Sequence, residues 1–234
     1  MNILIPMAGA GTRFIEEGYT LPKPLIDVNN KPMIQLVLEN INIDAQYVFI
    51  VQKEHCEKYD LHKFLSTISP NCKIVQLDSL TEGACCTTML AKEFIDNDQP
   101  LLIVNSDQYI NWDKDQFLSR ITDDIDGCIL TIEQNDPAMS YVKLADDGYA
   151  IEVAEKRVIS NLATVGAYYW SKGSEYTRYA EWMIKKNIRT NNEFYIAPVY
   201  NEAIAEGKKI ASHLVEDMWI LGTPKDLNHY LNRK

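Results

Sequence analysis

Asn2-Ile3-Leu4-Ile5-Pro6-Met7-Ala8-Gly9-Ala10-Gly11-Thr12-Arg13-Phe14 opens the chain with a short apolar, β-branched run followed by a turn that carries two glycines and an arginine. Ile3 to Pro6 reads as a strand, and similar runs recur at Tyr47 to Val51, Lys73 to Leu77, Leu101 to Val104, Cys128 to Ile132, Val165 to Trp170 and Ile210 to Val215. In the first half, stretches of helical periodicity separate them: Met33 to Ile41, His55 to Ile68, Gly83 to Ile95 and Lys114 to Ile121. Alternating strand and helix predict an α/β fold with a mostly parallel sheet covered by helices on both faces. In the second half, Tyr141 to Ala145 and Tyr149 to Val153 flank the turn-prone Asp146-Asp147-Gly148, which predicts an antiparallel hairpin serving as a lid or wall. Helices are expected over about 174–186 and 194–206, and a last one from Thr223, whose neighbour Pro224 suits a first helical turn. No repeat, low-complexity tract or linker interrupts the chain, so a single domain over 1–234 is expected.

The 234 residues carry a net charge of −10 and no Lys/Arg run, which argues against nucleic acid or an anionic membrane surface as partner. The N-terminal segment has no basic region and too short an apolar stretch for a signal peptide or membrane span, so a cytoplasmic location is expected. Five cysteines, Cys56, Cys72, Cys85, Cys86 and Cys128, are scattered without CxxC spacing and read as reduced packing thiols. His55, His62, His213 and His229 do not cluster with acids in the sequence.

The glycine turn carries the chemistry. Gly9 and Gly11 let main-chain N–H groups approach phosphate oxygens, and Arg13 and Lys23 add positive charge to the same loop. An ordinary turn with two solvated cations is the bland alternative. A dinucleotide fold also places a GxG after its first strand, but here Phe14 stands at the third-glycine position, and Pro22 and Pro24 forbid a long helix. The second strand ends in Gln52-Lys53 without a ribose-binding acid, and no GxxxxGK[ST] string occurs. Leu101 to Val104 runs into Asn105-Ser106-Asp107. In an open α/β sheet the carboxyl ends of strands line the ligand crevice, so Asp107 is a candidate magnesium ligand there, with a helix cap or surface turn as the alternative.

With Gly9, Gly11, Thr12, Arg13, Pro22 and Lys23, the chain resembles the sugar-phosphate nucleotidyltransferases, whose fingerprint is a GxGxR loop and a downstream PK pair, and the resemblance extends through the whole chain. It implies a Rossmann-like, three-layer α/β/α, GT-A-like fold with a mostly parallel, mixed sheet, the nucleotide on the 1–125 half and the acceptor on the 126–234 half. It also implies Mg²⁺ and in-line attack by a sugar 1-phosphate, or a similar phosphorylated small molecule, on the α-phosphorus of a nucleoside triphosphate, in the service of nucleotide-sugar supply for polysaccharide or capsule synthesis. The loop Ala8, Gly9, Ala10, Gly11, Thr12 and Arg13 would hold the phosphates; Arg13 would neutralise the departing pyrophosphate and Lys23 would hold the α-phosphate. Leu80-Thr81-Glu82-Gly83-Ala84 precedes a helix, as does the family's base-contacting segment; Gly83 would allow close backbone approach and Gln76 and Glu82 would bond the base edge, with an exposed loop and a helix N-terminal acid as the alternative.

On the acceptor side, Glu155 and Lys156, ahead of Ser160-Asn161, match an EK…SN stretch that binds sugar hydroxyl and sugar phosphate; Asp107, Gly166 and Glu193 match the rest of the acceptor site. The clearest departure is Trp219-Ile220-Leu221-Gly222-Thr223-Pro224, where Ile220 stands at the place of the family's second magnesium-binding aspartate, leaving Asp217 as the nearest substitute at an offset that points to the opposite strand face. A cytidylyltransferase acting on a non-sugar phosphorylated acceptor shares the loop, the lysine and the metal site. A glycosyltransferase usually needs Asp-x-Asp where this chain has Asp107-Gln108-Tyr109, and a non-catalytic nucleotide sensor is suggested only by Ile220. A homo-oligomer is compatible with the sequence.

Overall fold

The computed structural model describes residues 1–233. Its first half runs β1 (Asn2–Pro6), α1 (Thr12–Glu16), α2 (Met33–Ile41), β2 (Gln46–Gln52), α3 (Lys53–Tyr59), α4 (Leu61–Ile68), β3 (Lys73–Leu77), α5 (Ala84–Met89), α6 (Lys92–Ile95) and β4 (Leu101–Val104), with a 3₁₀ turn at Lys23–Leu25. The second half runs β5 (Gln108–Asn111), α7 (Lys114–Arg120), β6 (Gly127–Glu133), β7 (Ser140–Leu144), β8 (Ala150–Glu155), β9 (Leu162–Trp170), α8 (Gly173–Lys185), α9 (Tyr200–Ala205), β10 (Ile210–Leu214), β11 (Asp217–Ile220) and α10 (Pro224–Leu231).

One sheet has the order β10-β6-β9-β4-β1-β2-β3, with the β7–β8 hairpin joined to β9. β1 is parallel to β2 and β4, β2 to β3, and β6 to β10, as the alternation predicts. β9 is antiparallel to both β4 and β6, so strands from the two halves meet in one mixed sheet. Successive residues of a strand point to opposite faces, and both faces of this sheet are covered. Leu4, Ile103 and Trp170 pack with α5, α6, α8 and α9 on one side; Ile3, Ile5, Leu102 and Tyr169 pack with α2, α3, α4 and α7 on the other. A third, smaller core of Phe14, Ile26, Val28, Met33, Leu221, Leu227 and Tyr230 ties α10 to the segments around α1 and the 3₁₀ turn.

Three expectations are corrected and one element is added. The helix over 55–68 is two helices, because Asp60 sits in the left-handed region (φ 49°), caps α3 with its N–H on Cys56 O, and starts α4; aspartate tolerates this conformation better than most residues. The helix over 83–95 is likewise divided, at Leu90 and Ala91. The helix over 194–206 begins late: Phe194 N–H donates to Glu82 O (2.8 Å) and Cys85 N–H to Phe194 O (2.9 Å), so residue 194 is spent on a cross-chain bridge and only Tyr200–Ala205 is α-helical. The antiparallel ribbon of β5 and β11, pairing Gln108 with Ile220 and Asn111 with Asp217, is absent from the pattern reading, since strands of four residues leave too little periodicity to see.

Candidate active site

β1 delivers the turn 7–11 to the carboxyl edge of the sheet, where Met7 N–H still bonds Ile50 O (2.9 Å). The Gln52 amide at the end of β2 donates to Ala8 O (2.9 Å) and Gly9 O (3.1 Å), which fixes the course of the turn. A Cβ at Gly9 would meet nothing within 4 Å, so this stretch is an open cradle. Lys23 enters through Pro22 and the 3₁₀ turn, and its Cβ lies 3.6 Å from where a Gly11 Cβ would be.

Asp107 comes from the other side, beyond β4. Asn105 N–H donates to Gly166 O (2.9 Å) and Leu221 N–H to Asp107 O (2.8 Å), so β9 and the end of β11 both hold the strand exit. Lys23 Nζ and Asp107 Oδ2 meet at 2.7 Å, each side chain only 19% exposed. Two features 84 residues apart in sequence therefore form one charged centre.

That centre lies on a two-chambered groove. The first chamber, about 420 Å³, runs from Gly9 and Ala10 across Lys23 and Asp107 to Leu77, Thr81 and Thr87. The Thr81 and Thr87 hydroxyls share a hydrogen bond (2.6 Å) and both reach Gly83 O. The second, about 280 Å³, adjoins it at Ala84, Asn105 and Tyr195 and is lined by Gln108, Ser140, Glu155, Gly166, Tyr168 and Ile220. Among the described residues, Glu155 is the one charged residue on the walls of this second chamber. It accepts a hydrogen bond from Ser140 Oγ, and burial pushes its carboxyl above the usual 4.5, with Glu193 adding in the same direction and Ser140 and Lys156 opposing. Lys156 donates to Tyr195 OH (2.5 Å) and lies 4.6 Å from that ring's centre. The hairpin of β7 and β8 is thus a wall of the second chamber, since Ser140 and Glu155 are paired at its end.

The structure brings together Ala8, Gly9, Ala10, Lys23, Gly83, Asp107 and Glu193 in the first chamber and Glu155 and Gly166 in the second. Gly11, Thr12 and Arg13 lie just past the lining, with Arg13 exposed on α1. Gln76 turns away, its amide on Cys56 Sγ (3.4 Å), and Glu82 pairs with Arg189 outside the groove. Gly83 is required by the Phe194 backbone, whose oxygen would lie 2.5 Å from an added Cβ. Asp217 pairs with Asn111 at the far end of the ribbon from Gln108 and Ile220; it is exposed, accepts from its neighbour Met218 N–H, and lines neither chamber.

Sequence reasoning missed Gln52, Asn105, Gln108, Ser140, Thr81 and Tyr195. Of these, Asn105 had a signal, since it leaves the same strand as Asp107. Among the described residues no group of three or more His, Cys, Asp and Glu could hold a metal ion, so a cation here would have Asp107 as its carboxylate and would need further oxygens from a ligand. Cys85 and Cys128 are buried thiols pushed up to about 12 by burial, which fits packing. Among the described residues no helix is long and apolar enough to cross a membrane.

A family model for nucleotidyl transferases matches residues 3–232. The chain is 25% identical over 239 residues to a bifunctional protein GlmU of Methanocaldococcus jannaschii, which covers 99% of this chain and 54% of that protein; the chain thus spans about half the length of this curated relative. Two solved structures share the fold: a nucleoside-diphosphate-sugar pyrophosphorylase from Vibrio cholerae (TM-score 0.87, 24% identity, 99% of this chain and 100% of the other) and an inositol-1-phosphate CTP transferase from T. maritima (TM-score 0.77, 13% identity, 98% and 92%).

Proposed function

The chain belongs to the nucleotidyl transferase family, and from that premise we propose that it condenses a nucleoside triphosphate with a sugar 1-phosphate to give a nucleoside-diphosphate sugar and pyrophosphate. The observation that carries this reading is the Lys23–Asp107 pair at 2.7 Å, set beside the open Gly9–Ala10 cradle where the two chambers adjoin. Polyphosphate fits the cradle, because the uncovered main chain at Gly9 and Ala10 and the Lys23 side chain line the same chamber, while Leu77, Thr81 and Thr87 offer the base a partly apolar wall with hydroxyls at its edge. The acceptor fits the second chamber, where Glu155 accepts from sugar hydroxyls, while Lys156 lines neither chamber and reaches their junction through its hydrogen bond to Tyr195 OH, from where it would serve the acceptor phosphate.

An oxygen of the acceptor phosphate then attacks the α-phosphorus, the α–β phosphoanhydride bond breaks, and pyrophosphate carries away the electron pair. No proton need move, so the work of the protein is positioning and charge neutralisation by Lys23 and, from the lip of the groove, Arg13. Asp107 is the residue that would hold a magnesium ion here, and when bound the ion would supply charge neutralisation at the departing pyrophosphate. The same reading puts the protein in the cytoplasm, supplying activated sugar for polysaccharide or capsule assembly.

The test is a matrix of the five common nucleoside triphosphates against a library of phosphorylated sugars and phosphorylated non-sugar alcohols and amines, followed by pyrophosphate release with and without Mg²⁺. Release is expected with one base and one sugar phosphate and is expected to vanish in Asp107→Ala, which keeps the wild-type circular dichroism. Release with a non-sugar acceptor alone would move the assignment to the cytidylyltransferase-like alternative, and full activity of Asp107→Ala would remove that residue from the site.

A further inference from the structure

Lys23 does not wait in solvent for a phosphate. Its ammonium already rests on Asp107 Oδ2 at 2.7 Å, in a spot where both side chains are four-fifths covered. Gly222 packs so close that a Cβ there would stand 3.0 Å from that oxygen and 3.4 Å from the Ile220 Cγ2 methyl. Glu193 is the other acid on the walls of the first chamber, and no three-ligand cluster exists among the described residues. One carboxylate already neutralised by a lysine is a poor site for a free divalent cation, because the cation must displace a group of like sign.

From this contact we infer that Lys23 is a built-in counter-ion that occupies the metal-binding oxygen of Asp107 in the substrate-free protein. The triphosphate draws Lys23 off Asp107, and the vacated carboxylate oxygen takes the cation that arrives with the nucleotide. Lys23 is then free to pair with the phosphate anion, so a single ion-pair exchange couples cation binding to nucleotide binding. The inference rests on the proposed role of Asp107 as a cation ligand.

Direct Mn²⁺ binding to the nucleotide-free protein, followed by electron paramagnetic resonance and calorimetry, tests it without reference to turnover. Lys23→Gln removes the competing charge and should bind Mn²⁺ at least about tenfold tighter than wild type. Lys23→Arg keeps the charge and should stay near wild type, and the Lys23→Gln/Asp107→Asn pair should lose the gain. Wild type alone should show strong tightening of Mn²⁺ binding when a non-hydrolysable triphosphate analogue is added. If Lys23→Gln, folded by circular dichroism, binds Mn²⁺ no tighter than wild type, or if the gain survives Asp107→Asn, the counter-ion role is wrong. That outcome leaves the proposed activity intact provided wild type releases pyrophosphate; a wild type that releases none from any triphosphate overturns the site reading itself.

Discussion

Glu155 shows at the scale of one residue how function and stability pull apart. Burial raises its carboxyl pKa in the folded chain, so the folded state holds the proton to higher pH than the unfolded state does. The sign follows: the stability this group contributes is full below the usual 4.5 and is lost as pH rises through the raised value, leaving a buried carboxylate that disfavours folding at neutral pH. Glu155→Gln keeps an oxygen for Ser140 and removes the charge. Thermal melts should show the variant gaining on wild type between pH 4 and pH 7, while its kcat/KM for the phosphorylated acceptor falls about 10- to 100-fold at pH 7; a stability difference independent of pH would sink the account. Gly166 is the second test at this scale. Its φ is +71° and an added Cβ would stand 1.9 Å from Gln108 Oε1 and 2.4 Å from Asn105 Nδ2, so Gly166→Ala should cost about 2–4 kcal/mol in urea unfolding and distort the second chamber. Gly166 was legible as a site residue only by resemblance; the side chains of Gln108 and Asn105, which fill the space a Cβ would take, could not be read from it. Lys23 and Asp107 were legible because loop and strand-end chemistry is local; their direct contact was not, since it spans 84 residues.

Single elements were readable where their own residues decide them. β3, β4 and α2 have the bounds that periodicity gives, and Thr223 caps α10 as its sequence suggests, accepting from Asp226 N–H at 3.1 Å. Elements were misread where a distant partner decides them. Phe194 looks helical by its neighbours and is taken instead by Glu82 and Cys85. Gln52, read only as the absence of a ribose-binding acid, turns out to tether the turn that follows β1 from the end of β2, through Ala8 O and Gly9 O. Losing these two bonds leaves the strands paired and the turn loose. Gln52→Leu should therefore raise KM for the triphosphate about tenfold, with little change in acceptor KM or in the unfolding midpoint; equal loss for both substrates would mean the tether serves the fold and not the cradle.

At the scale of the whole molecule, the two large cores and the small third one have different tasks. The large cores seal the faces of the sheet and contain no residue of α10. The third core joins Leu227 and Tyr230 of α10 to Phe14, one residue past Arg13, and to Ile26, one residue past the Lys23–Leu25 turn. Tyr109 and Trp219 of the β5–β11 ribbon pack on Tyr230 with ring centres 5.6 and 6.2 Å away, and Arg233 lies 3.4 Å above the same ring. α10 thus braces the segment that follows the Gly9–Gly11 turn, which the turn's own residues could not show, because the brace is a packing relation between segments about two hundred residues apart. Leu227→Ala leaves a cavity in this core alone and should cost about 2–4 kcal/mol locally. The expected signature in amide hydrogen exchange is faster exchange at about 8–26 and in α10, with β4 and β9 as slow as in wild type, together with weaker triphosphate binding. Uniformly faster exchange across the sheet would show that α10 supports the global fold rather than the loop.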